Sequence, residues 1–306
     1  MLRGHAHDRS VLVDQENEFQ RLLAREAETA AARVGFALET RAAGMGGYAL
    51  GAQLRLVDGW LDSEAPPQAL LVLAARDRGL ARTVRSAARR GVHWIALNRT
   101  EDDLEAIRQE FPQVVVATVC PDETATGRLQ GRLVRTVLPQ GGCILYVTGH
   151  SRTLTSRDRA AALKEALADG PYETVSLEAG WSAAEAYQAA GGWLRIALRA
   201  RRQLDAIVCQ SDTIAEGTLR AWEQARSELG RHDLRPPVIG CDGTPGFGQA
   251  MVADGRLTAT VVLPRAAATA VSLLATTLDR GTPMPPLTSL AGWAWPETLL
   301  KLPASA

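Results

Sequence analysis

The chain has 306 residues, of which 46% are hydrophobic and 22% are charged, a globular composition with more length than one ordinary domain needs, so we expect two domains. Lysine plus arginine and aspartate plus glutamate each total 34, and this zero formal charge gives no electrostatic reason to expect nucleic acid or an anionic membrane as a partner. Because we find neither an apolar run of about 18 residues nor a signal-peptide core after Met1, we expect no membrane insertion and, for the chain as written, a cytoplasmic location.

Short apolar runs alternate with longer amphipathic segments along the chain. The runs predict strands at 10–13, 36–40, 69–73, 94–97, 114–118, 144–147, 174–177, 206–209, 238–240 and 259–262. The amphipathic segments predict helices at 19–33, 80–90, 124–138, 157–167, 182–198 and 214–229. Strands this short and continuously apolar, alternating with helices, indicate parallel sheets covered on both faces. The right-handed crossover rule places the strand-to-helix loops of each sheet at one edge, where we expect the function to reside.

The segment from Val238 to Pro245 is the most informative part of the chain. Its short apolar strand ends on Asp242, and a Gly-Thr-Pro turn follows. Open α/β sheets bind ligands at the carboxyl ends of their strands, and a group that only accepts hydrogen bonds suits a polyhydroxylated ligand. The alternative is that Asp242 caps the next helix.

Other polar and aromatic residues also fall at predicted strand ends or helix starts. Arginines donate in fixed forks, asparagines both donate and accept, and aromatic rings offer flat apolar faces to a sugar. None of these groups is placed to attack a bond, so we predict no catalytic residue. The candidate ligand-binding residues are Asn17, Phe19, Asn98, Arg99, Arg159, Trp181, Ser211 and Asp242.

Several candidates have a structural alternative. The alternative for Arg159 is a solvated surface arginine, and the alternative for Arg99 is an ion pair to Glu101 or Asp102. Trp181 fits an exposed loop or a wedge in the core, and Phe19 fits a core position in the first helical turn. We interpret Asp212 as the cap of the helix beginning near 214.

Seven segments together resemble the sugar-binding, ribose-binding-like branch of the type I periplasmic binding proteins, whose lobes are related to the effector domains of LacI-type repressors. They follow the order of that family and span nearly the whole chain. The segments are 17–22, 95–99, 122–129, 156–159, 180–182, 210–212 and 238–245.

The resemblance implies an α/β fold with two doubly wound parallel-sheet lobes joined by a three-segment hinge near 118–121, 261–264 and 281–286. The N-terminal lobe is then 1–119 plus 264–285, and the C-terminal lobe is 120–263 plus 286–306, with a ligand cleft between them. The implied function is non-catalytic binding of a monosaccharide or sugar-like polyol by hinge closure, as the substrate-binding component of an ABC-type sugar transporter. Such proteins are typically periplasmic, and their partner is a transporter permease or a signalling protein.

Three positions depart from the ribose-type pattern. Gln20 stands where relatives often carry a second aromatic residue, Ser211 replaces an asparagine, and Leu263 falls where a glutamine usually comes from the hinge strand. We therefore expect a sugar or polyol different from the pentose of those relatives.

Alternatives from other functional classes stay open. A cytoplasmic sugar sensor, or a LacI-like regulator lacking a DNA-binding domain, fits the same lobes, since only about ten residues precede Val11 and a repressor needs a DNA-binding module there. A two-lobed glycosyltransferase-like enzyme is a further alternative, although the loop at 148–152 supplies little of a diphosphate site.

The chain lacks the usual signatures of cofactor and metal sites. The first predicted strand leads into Asp14-Gln-Glu-Asn-Glu18 rather than a Gly-x-Gly-x-x-Gly turn, which argues against a dinucleotide. The four cysteines have no metal-ligand spacing and lie in or beside apolar runs, which predicts buried free thiols. We expect no cofactor and no metal.

Overall fold

A computed structural model describes residues 7–12, 18–42, 50–74, 78–97, 104–231 and 234–301, and all structural statements refer to these residues. They form two compact units, one of the described residues up to Pro121 together with Pro264–Leu290, and the other of those from Asp122 to Leu263 together with those after Leu290. The chain therefore passes between the units after Pro121, Leu263 and Leu290. Each unit is an α/β structure built on a sheet that is wholly or mainly parallel, as the sequence predicts.

The first unit contains a six-stranded, all-parallel sheet in the order β11-β5-β4-β3-β1-β2. Its strands are β1 (His7–Leu12), β2 (Ala37–Ala42), β3 (Ala69–Leu73), β4 (His93–Leu97), β5 (Val116–Pro121) and β11 (Leu287–Leu290). Its helices are α1 (Glu18–Val34), α2 (Leu50–Leu61), α3 (Ala81–Arg89), α4 (Leu104–Glu110) and α10 (Ala266–Arg280).

The apolar strands of this sheet are buried on both faces. In β3, Leu71 and Leu73 pack in the cluster that includes α1 and α10, while Leu70 and Val72 pack in the cluster with α2, α3 and α4. Successive strand residues point to opposite faces, so both faces of a covered strand need apolar side chains. This explains why the sequence shows continuous apolar runs instead of alternation.

The second unit repeats the same winding, with the order β12-β10-β9-β8-β6-β7. Its strands are β6 (Gly142–Thr148), β7 (Tyr172–Glu178), β8 (Ala206–Cys209), β9 (Val238–Asp242), β10 (Ala259–Val262) and the antiparallel β12 (Trp293–Trp295). Its helices are α5 (Glu123–Val137), α6 (Leu154–Leu167), α7 (Ala183–Arg199), α8 (Asp212–Glu228), α9 (Gly248–Ala253) and a final 3₁₀ helix (Glu297–Lys301).

Four helices of the second unit start at capped positions beside the carboxyl edge of its sheet. Asp122, Thr153, Ser182 and Ser211 each accept a hydrogen bond from the backbone N–H three residues later. Each cap satisfies one of the N–H groups that a helix leaves unpaired at its start. These caps fix where each helix begins and so define the loops at that edge.

The chain passes between the units for the last time after Leu290, which is later in the sequence than predicted. Leu287–Leu290 pairs in parallel with Thr118–Pro121, so residues 286–290 belong with the first sheet, whereas the prediction assigned them to the C-terminal lobe. This four-residue strand alternates exposed with partly buried side chains, so it does not appear as an apolar run in the sequence.

The four cysteines are buried and free. Within the described ranges, no helix combines the length and apolar character required to cross a bilayer.

Candidate ligand-binding site

Four of the predicted site residues lie at the carboxyl edge of the second sheet. In this sheet the winding changes direction between β6 and β8, and ligands of doubly wound folds bind outside the carboxyl ends of strands at such a point. Trp181 and Arg159 contact the segments that follow β6 and β8, Ser211 follows β8, and Asp242 ends β9.

The carboxylate of Asp242 is the acceptor at this edge. Asp242 is 9% exposed and has a φ of 102°, a backbone conformation that residues other than glycine rarely adopt. Across the described part of the chain, its side chain receives no hydrogen bond, and it does not cap α9, whose N-terminal flanking residue is Phe247. The capping alternative is therefore wrong, and the carboxylate is available to another donor.

Burial raises the pKa of the Asp242 carboxyl well above its usual range, and the nearby carboxylate of Asp212 raises it further. The positive charge of Arg159 acts in the opposite direction. Burial disfavours the charged form of a carboxyl, and a like charge does the same. Donors that stabilise the ionised carboxylate are therefore favourable at this position.

Arg159 is buried, which excludes the interpretation as a solvated surface arginine. It is 3% exposed, and its Nε donates to the Glu123 carboxylate at 2.5 Å. Its Nη1 donates to the carbonyl of Gln210 at 2.6 Å and lies 3.4 Å from Cys241 Sγ. The guanidinium thus joins the start of α5 to the ends of β8 and β9.

Trp181 lies against the loop after β6. A Cβ on Gly149 would lie 2.2 Å from the Trp181 ring, so only glycine allows the ring to approach this closely. The ring packs in part against the core formed with α7 and α8, and the indole Nε1 is buried without a partner among the described residues. The structure therefore combines the core alternative with a position at the candidate site.

Ser211 and Phe19 have structural contacts of their own. Ser211 is 3% exposed, and its Oγ accepts a hydrogen bond from the N–H of Ile214 at 3.0 Å, so Ser211 caps α8. The sequence predicts Asp212 as this cap, so that interpretation is wrong. Phe19 packs against the core beside α1 and α10, as its structural alternative predicts. Three candidates, Asn17, Asn98 and Arg99, lie outside the described residues.

Gln210 was not predicted from the sequence as a site residue, although its side chain makes several hydrogen bonds at this edge of the sheet. Gln210 is fully buried, and its Oε1 accepts a hydrogen bond from the N–H of Gly149 at 2.9 Å. Its Nε2 donates to Tyr146 Oη at 2.9 Å and to the carbonyl of Ser156 at 2.8 Å. The signal in the sequence is a polar residue directly after an apolar strand. The residue type alone does not show which groups the Gln210 amide contacts.

Glu123 and Gln130, both on α5, were also missed. Glu123 pairs with Arg159, and Gln130 Nε2 donates to the carbonyl of Cys209 at 2.8 Å. Leu263 is 7% exposed, and its backbone N–H donates to the carbonyl of Asp242 at 3.1 Å. The described residues contain no group of three or more side chains suited to hold a metal ion.

A family model described as a periplasmic binding protein domain matches residues 11–281. Among curated proteins, no match was found.

Solved structures share the fold at low sequence identity. The chain is similar to the Caulobacter myo-inositol binding protein bound to myo-inositol, with 21% identity, a TM-score of 0.81, and coverage of 98% of this chain and 96% of the other. It is similar to the periplasmic binding component of the arabinose ABC transporter from Shewanella sp. ANA-3, with 18% identity, a TM-score of 0.82, and coverage of 97% and 94%. A third similar structure is an ABC transporter periplasmic solute binding protein from Actinobacillus succinogenes 130z with bound D-allose, with 18% identity, a TM-score of 0.81, and coverage of 96% and 99%.

Proposed function

This chain belongs to the family of periplasmic binding protein domains, and we propose that it binds a monosaccharide or sugar-like polyol without converting it, as the substrate-binding component of an ABC-type sugar transporter. The observation that carries the proposal is the Asp242 carboxylate. It is buried at the carboxyl edge of the second sheet and receives no hydrogen bond from the described residues. A buried acceptor left unpaired is costly, and a ligand hydroxyl relieves that cost.

The charges around Arg159 favour an uncharged ligand. Its guanidinium is already paired with Glu123, whose side chain is 12% exposed, and Asp242 adds a second carboxyl nearby. The Arg159 guanidinium is therefore already compensated and offers an anionic ligand little net attraction. Neutral hydroxyl groups can both donate to Asp242 and accept from Arg159.

The similar solved structures support a polyhydroxylated ligand. Those described above hold, by name, myo-inositol, arabinofuranose and D-allose. All three ligands are uncharged and carry several hydroxyl groups. Leu263 is buried and apolar, and the Ser211 hydroxyl caps α8, so these two positions offer a ligand fewer free polar groups than amide side chains would. We therefore propose a ligand other than the ribose-type pentose.

The proposal includes closure of the two units on the ligand. Arg159, Trp181, Ser211 and Asp242 would contact it from the second unit, and Asn17, Asn98 and Arg99 from the first. A ligand that contacts both units favours the closed state by its differential affinity. Phe19 is left out because its contacts are with the core.

A thermal-shift screen tests the proposal. The panel contains myo-inositol, L-arabinose, D-allose and other neutral sugars and polyols, each neutral member paired with a phosphorylated counterpart where one exists. We expect at least one neutral member to raise Tm, since a ligand that binds only the native state stabilises it by about 2.7 kcal/mol at a hundredfold excess over Kd. The phosphorylated counterparts should give smaller shifts.

Asp242→Asn is the test variant, and Asp158→Asn, at an exposed position on α6, is the matched control. We expect Asp242→Asn to lose most of the shift and the control to keep it. Recovery of the sugar unchanged after prolonged incubation is expected from a binding protein. No shift with any panel member, or turnover of a sugar, would contradict the proposed function.

A further inference from the structure

The carboxylate of Asp212 lies inside the second unit beneath the turn that carries residue 242. Asp212 is 1% exposed, and its Oδ2 accepts a hydrogen bond from the N–H of Gly243 at 2.7 Å. Its Oδ1 accepts from Thr260 Oγ1 at 2.7 Å, and the N–H of Cys241 stabilises the charge of this carboxylate. One side chain therefore links the start of α8 to both β9 and β10.

These interactions bracket Asp242 along the chain. Cys241 and Gly243 are its two neighbours; Gly243 donates its backbone N–H to Asp212, and the N–H of Cys241 stabilises the same carboxylate electrostatically. Asp242 itself has a φ of 102°. A residue other than glycine persists in such a conformation only where its surroundings hold it, and the interactions of Asp212 with the two flanking N–H groups are suited to do so.

Two glycines leave room for the Asp212 carboxylate. A Cβ on Gly240 would lie 2.1 Å from its Oδ1, and a Cβ on Gly248 would lie 1.8 Å from its Oδ2. Neither glycine has a positive φ, so their backbone conformations do not require glycine. The Asp212 carboxylate occupies the space that the two glycines leave, so the fold accommodates this side chain specifically.

We propose that Asp212 is a positioning residue for the ligand site, which fixes the backbone on both sides of Asp242 and so directs the Asp242 carboxylate to the ligand. The inference rests on the proposed function in taking Asp242 as the ligand acceptor. Without the Asp212 carboxylate, residue 242 relaxes towards a negative φ, and its Cα–Cβ bond turns to a new direction. The acceptor is then displaced although no contacting residue has changed.

The principal variant is Asp212→Asn, which keeps the size of the side chain and replaces one acceptor oxygen with a donor. An asparagine cannot accept from Gly243 and Thr260 through two separate oxygens as the carboxylate does. Asp158→Asn is again the matched control, with the same chemical change at an exposed position. Thr260→Val is a milder second variant, since it removes only the hydroxyl that anchors Oδ1.

The first readout needs no ligand. Amide hydrogen exchange at Gly243, followed by NMR, is expected to become at least about tenfold faster in Asp212→Asn, the change that corresponds to loss of one typical hydrogen bond. The ¹³C titration of the Asp242 carboxyl is expected to move to lower pH, since the Asp212 carboxylate no longer opposes its ionisation. Unchanged exchange rates together with an unchanged titration would overturn the inference.

The second readout is affinity for myo-inositol, L-arabinose and D-allose, measured by calorimetry at a temperature where every variant is folded. We expect Asp212→Asn to weaken binding about tenfold or more. The same substitution in an Asp242→Gly background should have no further effect, because the acceptor is already absent. A lower Tm with unchanged affinity would mean that Asp212 is merely structural and would overturn the inference.

The outcomes separate this inference from the proposed function. If the wild-type protein binds none of the neutral panel, the proposed function fails, and the exchange and titration results still decide whether Asp212 positions Asp242. If Asp212→Asn does not fold, Thr260→Val is expected to change both readouts in the same direction by a smaller amount. No change in Thr260→Val would then count against the inference.

Discussion

The ion pair between Arg159 and Glu123 is nearly buried, with side-chain exposures of 3% and 12%. Removing one partner of such a pair leaves the other charge in a poorly solvated place, which costs about 3 to 5 kcal/mol. We therefore expect Arg159→Ala to reduce the free energy of unfolding by about this amount in urea titrations. Arg128→Ala is the control, because Arg128 pairs with Glu165 on the surface and such pairs contribute about 0 to 1 kcal/mol.

The same variant tests the role of Arg159 in binding. A charge-assisted hydrogen bond to the ligand contributes about 1.5 to 3 kcal/mol, so Arg159→Ala is expected to raise Kd by about 10- to 150-fold. Calorimetry below the unfolding range measures this change separately from stability. Loss of stability with an unchanged Kd would assign Arg159 to the structure of the edge and remove it from the ligand contacts.

Asp212 gives the stability of the protein a defined pH dependence. Burial raises the pKa of Asp212 from 3.8 to about 7, while hydrogen bonds from Thr260 and Gly243 act in the opposite direction. The folded state therefore binds more protons than the unfolded state between these pH values. The stabilising contribution is fully present below about pH 4 and is lost as the pH rises through about 7.

We expect the free energy of unfolding to fall more steeply between pH 5 and about pH 8 in the wild type than in Asp212→Asn, since the asparagine does not titrate. Urea titrations at a series of pH values measure both slopes. Parallel curves would show that Asp212 is already ionised throughout this range in the folded protein.

The sequence locates Asp242 because it ends an apolar strand and precedes a glycine turn, and both features can be read from residue types alone. Asp212 cannot be assigned in this way. Aspartate is a common helix cap, and the sequence does not show that Gly240 and Gly248 leave space for its carboxylate. Likewise, the burial of Arg159 depends on Glu123, which is 36 residues away along the chain.

At the scale of elements, α5 and α6 pack closely because Gly127 has no side chain. A Cβ on Gly127 would lie 2.3 Å from the carbonyl oxygen of Arg159. Gly127→Ala is expected to destabilise the protein by about 1 to 3 kcal/mol through overpacking. Because the contact is with the backbone of Arg159, the variant should also weaken ligand binding.

Gly192, within α7, is the control position for the Gly127→Ala variant. A Cβ there meets no atom within 4 Å, so Gly192→Ala is expected to stabilise the helix by about 0.5 to 1 kcal/mol. Urea titration of both variants gives the comparison. Equal effects of the two alanines would show that α5 and α6 can move apart at little cost.

Whether a strand can be predicted from the sequence depends on whether both of its faces are buried. Ten strands were predicted because each contains a short apolar run, and β3, β8 and β10 match the predicted bounds. The other two, β11 and β12, lie at sheet edges and alternate exposed with more buried residues over four and three positions. An alternation over three or four residues is too short to identify a strand from the sequence. These two segments form strands because they pair with the edge of an existing sheet.

At the scale of the whole molecule, three passages of chain join the two units, after Pro121, Leu263 and Leu290. Proline at 121 and again at 264, just after the second passage, restricts the backbone, so the rotation that the proposed function requires would be confined to a few residues. The proposed function requires that a ligand contacting both units shift them to a closed state. The radius of gyration in solution is then expected to decrease on addition of a saturating panel ligand.

Small-angle X-ray scattering measures this decrease, with and without the ligand that gives the largest thermal shift. The matched controls are a panel sugar that gives no shift and the Asp242→Asn variant at the same ligand concentration, and neither should change the radius of gyration. If the proposed closure buries apolar surface, calorimetry at several temperatures should give a negative heat-capacity change on binding. Saturation without any change in the radius of gyration would limit the ligand to contacts with one unit, and the mechanism of closure would then be wrong even though binding itself is established.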